Sequence, residues 1–278
     1  LSERVAVITG AASGIGRATS IRLAARGCHI AAADLDASGL ESLEKELREK
    51  DVRVSTHRVD VASKTAMEAF AGEVEDLHGA AHILINNAGV VIAGEFRDQS
   101  LDDLEWLIGI NYWGVVYGCH FFLPLLERQD EAHIVNLSSM FGFLGLPSQS
   151  GYCATKAAVR ALSESLWTEL RTKNIGVTSI HPGGINTNIH ETMRSYDPAV
   201  RDATVAGLAQ SRPPSDVARV IVKAIEKNRL RAIAGIEAYV SEWLKRLMPV
   251  LTHKLIARQM KRSSFGGDGA TESVGSHK

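Results

Sequence analysis

The sequence predicts an α/β fold: a doubly wound parallel sheet in three layers, α/β/α, with helices on both faces. Two observations predict it. Short runs of apolar, β-branched residues alternate with amphipathic stretches of helical period, and strands that are apolar throughout need cover on both faces. The alternation forms one unbroken series without a repeat or a Pro-rich linker, so residues 1–235 read as one domain.

Taken in order, residues 4–9 form the first buried strand and 14–26 the helix that follows it. Residues 29–34 form a second strand, then comes a charged helix over 38–50. Runs at 52–58, 82–86, 133–138 and 176–181 continue the strand series, with helices over 63–77, 101–126 and 151–172 between them. Residues 187–214 break the rhythm. They are polar, carry one weak helix and no strand, and have the length of a functional lid. Residues 236–262 turn basic and amphipathic, and Pro249 divides them into two helices. Residues 263–278 have the composition of a disordered tail.

Composition removes several classes of function. A net charge of −1 argues against nucleic-acid binding. The longest apolar runs, at 5–8 and 121–126, are too short to span a bilayer. Leu1 leads almost at once into a core strand, so no signal peptide is expected. Cys28, Cys119 and Cys153 are odd in number with no close pair, which reads as reduced thiols of a cytoplasmic protein. The ten histidines form no cluster at ligand spacing, so no metal is expected.

The turn between the first strand and the first helix is Gly10-Ala11-Ala12-Ser13-Gly14-Ile15-Gly16. Glycines there let the backbone approach a pyrophosphate, and the helix N-terminus supplies oriented N–H donors, as in a Rossmann-type site. The second strand ends at Asp34. A carboxylate at that place accepts from the adenosine ribose hydroxyls and repels a 2′-phosphate; its structural alternative is the N-cap of the next helix, a role open to Asp36 or Ser38. Neither Ser13 nor Leu35 is a cation, so NAD is favoured over NADP. Further along, Tyr152 and Lys156 stand four apart at the start of a helix and share a face. An ammonium beside a phenol, with the positive nicotinamide ring, favours phenolate, and Ser138 and Ser139 end the strand before. A lone Tyr-x-x-x-Lys is otherwise a solvated helix face.

These motifs together resemble the short-chain dehydrogenase/reductase family in its single-domain form. The matching segments are TGAASGIG at 9–16, NNAG at 86–89, Asn111, the Ser-to-Tyr gap, YCATK at 152–156 and HPGGINT at 181–187, in family order over roughly residues 4–234. The resemblance implies catalysis by Ser139, Tyr152 and Lys156, with Asn111 anchoring a proton-relaying water. Ser139 rather than Ser138 has the family's gap of 13 to the tyrosine. It implies adenine contacts from Asp60 and Val61, a cleft floor of Asn87, Ala88 and Gly89, and carboxamide contacts from Ile185 and Thr187 beside Pro182 and Gly183.

The expected activity is therefore NAD(H)-dependent interconversion of an alcohol and a ketone or aldehyde. Segments 90–92 and 140–149 would wall the substrate pocket with the lid. Met140, Phe141, Phe143, Leu144 and Leu146 carry no charge, which suits an apolar, lipid- or steroid-like substrate, unless they only pack on the lid or a partner. Rival expectations are a sugar-nucleotide epimerase or dehydratase and a non-catalytic NAD-sensing protein. The family packs the helices at 101–126 and 151–172 against a second copy, so a homodimer or homotetramer is expected, with Trp106, Tyr117, Phe121, Leu166 and Trp167 as candidates for that face. Residues 243–262 hold six Lys/Arg and no Asp or Glu. They read either as a peripheral contact with an anionic membrane or as helices packed on their own subunit.

Overall fold

Seven parallel strands in the order β3-β2-β1-β4-β6-β7-β9 make the sheet of the computed structural model, which describes residues 1–265. They are β1 (Val5–Thr9), β2 (His29–Asp34), β3 (Val54–Arg58), β4 (Ile83–Asn86), β6 (Ala132–Leu137), β7 (Ile175–Pro182) and β9 (Arg231–Ala234), numbered to leave β5 (Ile92–Ala93) and β8 (Arg194–Ser195) for a separate two-stranded parallel pair. The helices are α1 (Gly14–Ala24), α2 (Ala37–Arg48), α3 (Lys64–His78), α4 (Leu101–Ile108), α5 (Gly114–Glu127), α6 (Ser150–Glu169), α7 (Pro198–Ala209), α8 (Pro214–Glu226), α9 (Ile236–Leu247) and α10 (Pro249–Phe265).

Alternation along the strands sends successive side chains to opposite layers. Ala6, Ile8, Ile30 and Ile83 pack with Leu23 of α1, Leu43 of α2 and Ile221 of α8. Val7, Ala31, Leu84 and Ile134 pack with Phe70 of α3, Phe122 of α5 and Val159 of α6. Short polar caps start the helices: Asp36 accepts from the Gly39 N–H, Ser63 from Ala66 and Ser100 from Asp103. Strand order reverses between β1 and β4, which opens a crevice at the carboxyl ends of the strands, where open parallel sheets of this kind bind ligands.

Four features differ from the sequence reading. The helix expected over 101–126 is α4 and α5 joined by a π-helical segment, Gly109–Trp113. The lid expected to lack a strand contains β8, whose backbone pairs with β5. The reading also omits α8 and β9. Helix α10 runs through Phe265, so its end overlaps the start of the expected tail; residues 266–278 lie outside the described residues. No helix among the described residues is long and apolar enough to cross a membrane.

The α3–α5 layer gives a test of core packing. Phe122 is fully buried and meets Phe70 edge-on at 5.2 Å. Phe122→Ala is expected to cost about 3–5 kcal/mol, measured by urea denaturation. A loss below about 1 kcal/mol would show that the layer collapses to fill the space.

Candidate active site

The carboxyl ends of the strands, the start of α6 and the π-helical segment bring the predicted residues together. The glycine turn depends on close backbone approach. Gly10 has φ +64° and Gly14 φ +53°, and a Cβ on Gly16 would lie 2.0 Å from the Gly10 carbonyl oxygen. Asn87 clamps the turn, its Nδ2 donating to the carbonyls of Thr9 at 2.9 Å and Gly10 at 3.0 Å. Thr9 Oγ1 in turn accepts the N–H groups of Asn87 and Ala88 at 3.0 and 3.2 Å. Ser13 precedes α1 without capping it, and the first turn has no acid. Uncapped donors at a helix N-terminus behind a glycine cradle fit a pyrophosphate. Thr187 reaches across from the lid, 3.3 Å from where a Gly14 Cβ would stand.

Asp34 does not cap α2; Asp36 does. The Asp34 carboxylate instead accepts from the backbone N–H of Ala12 at 2.9 Å and of Asp36 at 3.1 Å, which fixes it beside the turn. Leu35 is exposed, and the carbonyl of Leu35 accepts from Arg58 Nε at 3.4 Å. Sequence reasoning missed that cation because it sits on the neighbouring strand, in register with Asp34. Arg17, by contrast, is drawn to α2 by Glu46 at 3.0 Å. Asp60 is exposed and accepts from Ala62 N–H, whereas Val61 is buried against Gly114. Gly183 donates to the Ala234 carbonyl at 2.8 Å, and Ile185 is buried and bridges to Arg212.

Ser139, Tyr152 and Lys156 meet beyond the end of β6. The Ser139 hydroxyl is close enough to the Tyr152 phenol to favour its ionised form, and Lys156 Nζ lies 5.7 Å from the Tyr152 ring centre. Ser138 is turned away, donating to the Lys156 carbonyl at 2.7 Å. The two serines thus face different partners. Lys156 is buried and donates to the Leu137 carbonyl at 2.9 Å. Asn111, in the π-helical segment, accepts from Val90 N–H at 2.8 Å and donates to the Val90 carbonyl and to Thr155 Oγ1. Its side chain therefore ties the 87–90 segment to α6; a Cβ on Gly89 would stand 3.2 Å from Asn111 Oδ1 and 3.3 Å from Lys156 Nζ.

Burial sets the protonation of this group. It pushes the Tyr152 phenol up to about 12, opposed by the Ser139 hydrogen bond, and the Lys156 ammonium down to about 8. The expected lowering of the Tyr152 pKa rests on the ammonium together with a positive nicotinamide ring, and the chain by itself carries only the first of these charges. Desolvation outweighs the ammonium, which is turned to a carbonyl.

The sequence reading also passed over His181 and its neighbours. Its Nδ1 donates to the Ser139 carbonyl at 3.1 Å, and Phe143 stacks on its ring at 4.1 Å. Burial pushes His181 down to about 3, so it is neutral and props the Ser139 backbone. Tyr152 also packs among Val90, Ile92 and Leu107 on one side and Val91, Ala93 and Met193 on the other. A surface cavity of about 530 Å³ lies elsewhere, beside Glu131, Trp167 and Arg171, and no predicted site residue lines it.

A family model for short chain dehydrogenases matches residues 4–197. The chain belongs to the short-chain dehydrogenase family. Its relatives in this family include the oxidoreductase SadH of Mycobacterium tuberculosis, 35% identical over 91% of this chain and 94% of that one. A short chain dehydrogenase/reductase from Burkholderia phymatum, solved with NAD, is 30% identical with a TM-score of 0.85, covering 90% of this chain and 95% of the other. The alcohol dehydrogenase of the archaeon Thermococcus sibiricus, solved with 5-hydroxy-NADP, is 25% identical with a TM-score of 0.72 over 84% of this chain and 96% of its own. The protein is thus a short-chain dehydrogenase/reductase-type oxidoreductase.

The buried lysine of this family member predicts a pH dependence of stability. The folded pKa of Lys156, about 8, lies below the value of 10.5 for a free lysine. Between these values the unfolded chain binds more protons, so this group makes stability rise with pH; the cost of burying the ammonium is fully present below about pH 8. Denaturant midpoints from pH 8 to 9.5 should therefore rise for the wild type relative to Lys156→Met. Parallel curves would contradict a buried, desolvated ammonium.

Proposed function

We propose that this oxidoreductase interconverts an apolar alcohol with its ketone or aldehyde using NAD(H). The observation that carries the reading is Tyr152 set between the buried Ser139 and the buried Lys156, whose Nζ lies 5.7 Å from its ring centre. The chemistry that bound NAD(H) would supply is acceptance of a hydride from the carbinol carbon, or its return to the carbonyl carbon. The remaining work falls to the chain. In oxidation, Ser139 holds the substrate oxygen and Tyr152 accepts the hydroxyl proton; in reduction, Tyr152 gives that proton back. Lys156 would hold the ribose hydroxyls, and its positive charge would add to that of the nicotinamide in favouring the phenolate. Asn111 keeps the 87–90 segment against α6 so that Gly89 and Lys156 remain side by side.

NAD is the proposed cofactor. Asp34 is held by two backbone donors and half-buried, where charge is poorly screened, whereas Arg58 is exposed and screened. Ser13, Ile15 and Gly16 would approach the pyrophosphate, and Pro182, Ile185 and Thr187 the nicotinamide end. The apolar substrate follows from the walls: Val90, Val91, Ile92 and Met193 are buried around Tyr152, and Phe141 meets its ring edge-on at 6.4 Å.

Steady-state kinetics on secondary alcohols of graded chain length test the chemistry. Tyr152→Phe should lower kcat by at least about 1,000-fold, about 4 kcal/mol, with NAD binding retained; near-wild-type turnover would remove Tyr152 from the reaction. The cofactor assignment has its own test. NAD should exceed NADP in kcat/KM by at least about 100-fold, about 2.7 kcal/mol, and Asp34→Ala should narrow the ratio. Equal use of both cofactors by the wild type would defeat it.

A further inference from the structure

Helix α9 is turned inside out. Its buried positions are Ala238 and Glu242, and Glu242 sits 8% exposed, paired with Arg231 at 2.5 Å. Its outward positions follow the spacing i, i+4, i+7, i+11 with Ile236, Val240, Trp243 and Leu247, at 67%, 50%, 54% and 69% exposure. That spacing is one helix face. A surface helix ordinarily hides such a stripe and shows its carboxylates. Helix α10 continues the pattern with Val250, Leu251 and Leu255 exposed. Lys245 Nζ to His253 Nε2 at 2.6 Å and Thr252 Oγ1 to the Leu244 carbonyl at 3.1 Å hold the two helices together.

We infer that this face docks on an anionic lipid surface. Charge complementarity selects the occupant. Residues 243–262 carry Lys245, Arg246, Lys254, Arg258, Lys261 and Arg262 with no acid, in a chain whose net charge is only −1. Of these, Arg246, Lys254 and Arg258 are exposed on the same two helices as the apolar residues. A two-fold contact of this face with a second copy would press together two patches that hold cations and no acid over residues 243–262, which is repulsive. An anionic bilayer offers both partners: acyl chains for Trp243 and Leu247, head groups for the Lys and Arg side chains. Arg246 lies 5.7 Å from the Trp243 ring centre, so apolar and cationic anchors reach the same depth.

The surface lies beside the substrate-loop segment. Helix α9 contacts the short turn Met140–Gly142 after Ser139, and His253 of α10 stands 3.9 Å from where a Gly145 Cβ would be. Docking would therefore bring the mouth of the cleft to the lipid. The docking itself does not depend on the proposed reaction.

Vesicle co-sedimentation of the full chain tests the inference. The protein should sediment with phosphatidylserine/phosphatidylcholine vesicles at low salt, at least about 10-fold more weakly with pure phosphatidylcholine, and be released as salt shortens the screening length. Trp243→Asp/Leu247→Asp should abolish sedimentation while leaving turnover of a water-soluble short-chain alcohol unchanged. Absence of binding to anionic vesicles at low salt would overturn the proposal, as would equal binding to neutral ones. Loss of oligomers in the double variant, with no vesicle binding by the wild type, would assign the stripe to a second copy.

Discussion

Burying the Lys156 ammonium is the constraint around which the site is built. A charged group taken from water needs a strong acceptor, and Lys156 finds the Leu137 carbonyl at the end of β6. That bond requires α6 to start close over β6, and the same closeness sets Tyr152 against Ser139. Ser138 reinforces it by donating to the Lys156 backbone. A small residue is demanded at position 89, where a side chain would crowd both Lys156 and Asn111. The geometry of the candidate site follows from packing a single cation.

Parallel topology supplies the rest. Because all seven strands run the same way, their carboxyl ends share one edge, and residues distant in sequence arrive together. Thr9 and Asn87 show the economy of this arrangement. Two adjacent parallel strands end with a hydroxyl and a carboxamide that satisfy one another's backbone groups and hold the glycine turn open. His181, at the end of β7, does for Ser139 what Asn87 does for Gly10. These supports decide where the glycine turn and Ser139 stand.

The fold was legible where periodicity is strong. Strands that are apolar in all but their last residue, such as β1 and β4, read plainly as buried strands, and the glycine turn marks the first crossover. Helix α8 was legible but omitted; Val217, Ile221, Val222 and Ile225 repeat at helical spacing behind Pro214. Strands β5 and β8 were not legible, since two-residue strands exist only because the lid docks through Arg194 on Asp103 and Trp106. The π-helical segment at Asn111 was hidden for a similar reason: nothing local distinguishes it from α-helix, and its hydrogen bonds to Val90 and Thr155 are tertiary. Site residues in turns were readable because backbone approach demands glycine. Arg58 and Glu242 were not, because a charged side chain's partner comes from another element.

The proposed reaction turns on the protonation of Tyr152. In the protein alone its phenol is held at about 12 by burial, too high for proton transfer at neutral pH. A positive nicotinamide ring beside it would supply the charge that Lys156 alone does not. Ultraviolet difference titration of the phenolate, with and without NAD, measures this directly. The account predicts that NAD moves one tyrosine from about 12 to well below the ordinary value near 10, and that the step vanishes in Tyr152→Phe. A titration that NAD leaves unchanged, or a shift that survives Tyr152→Phe, would contradict it.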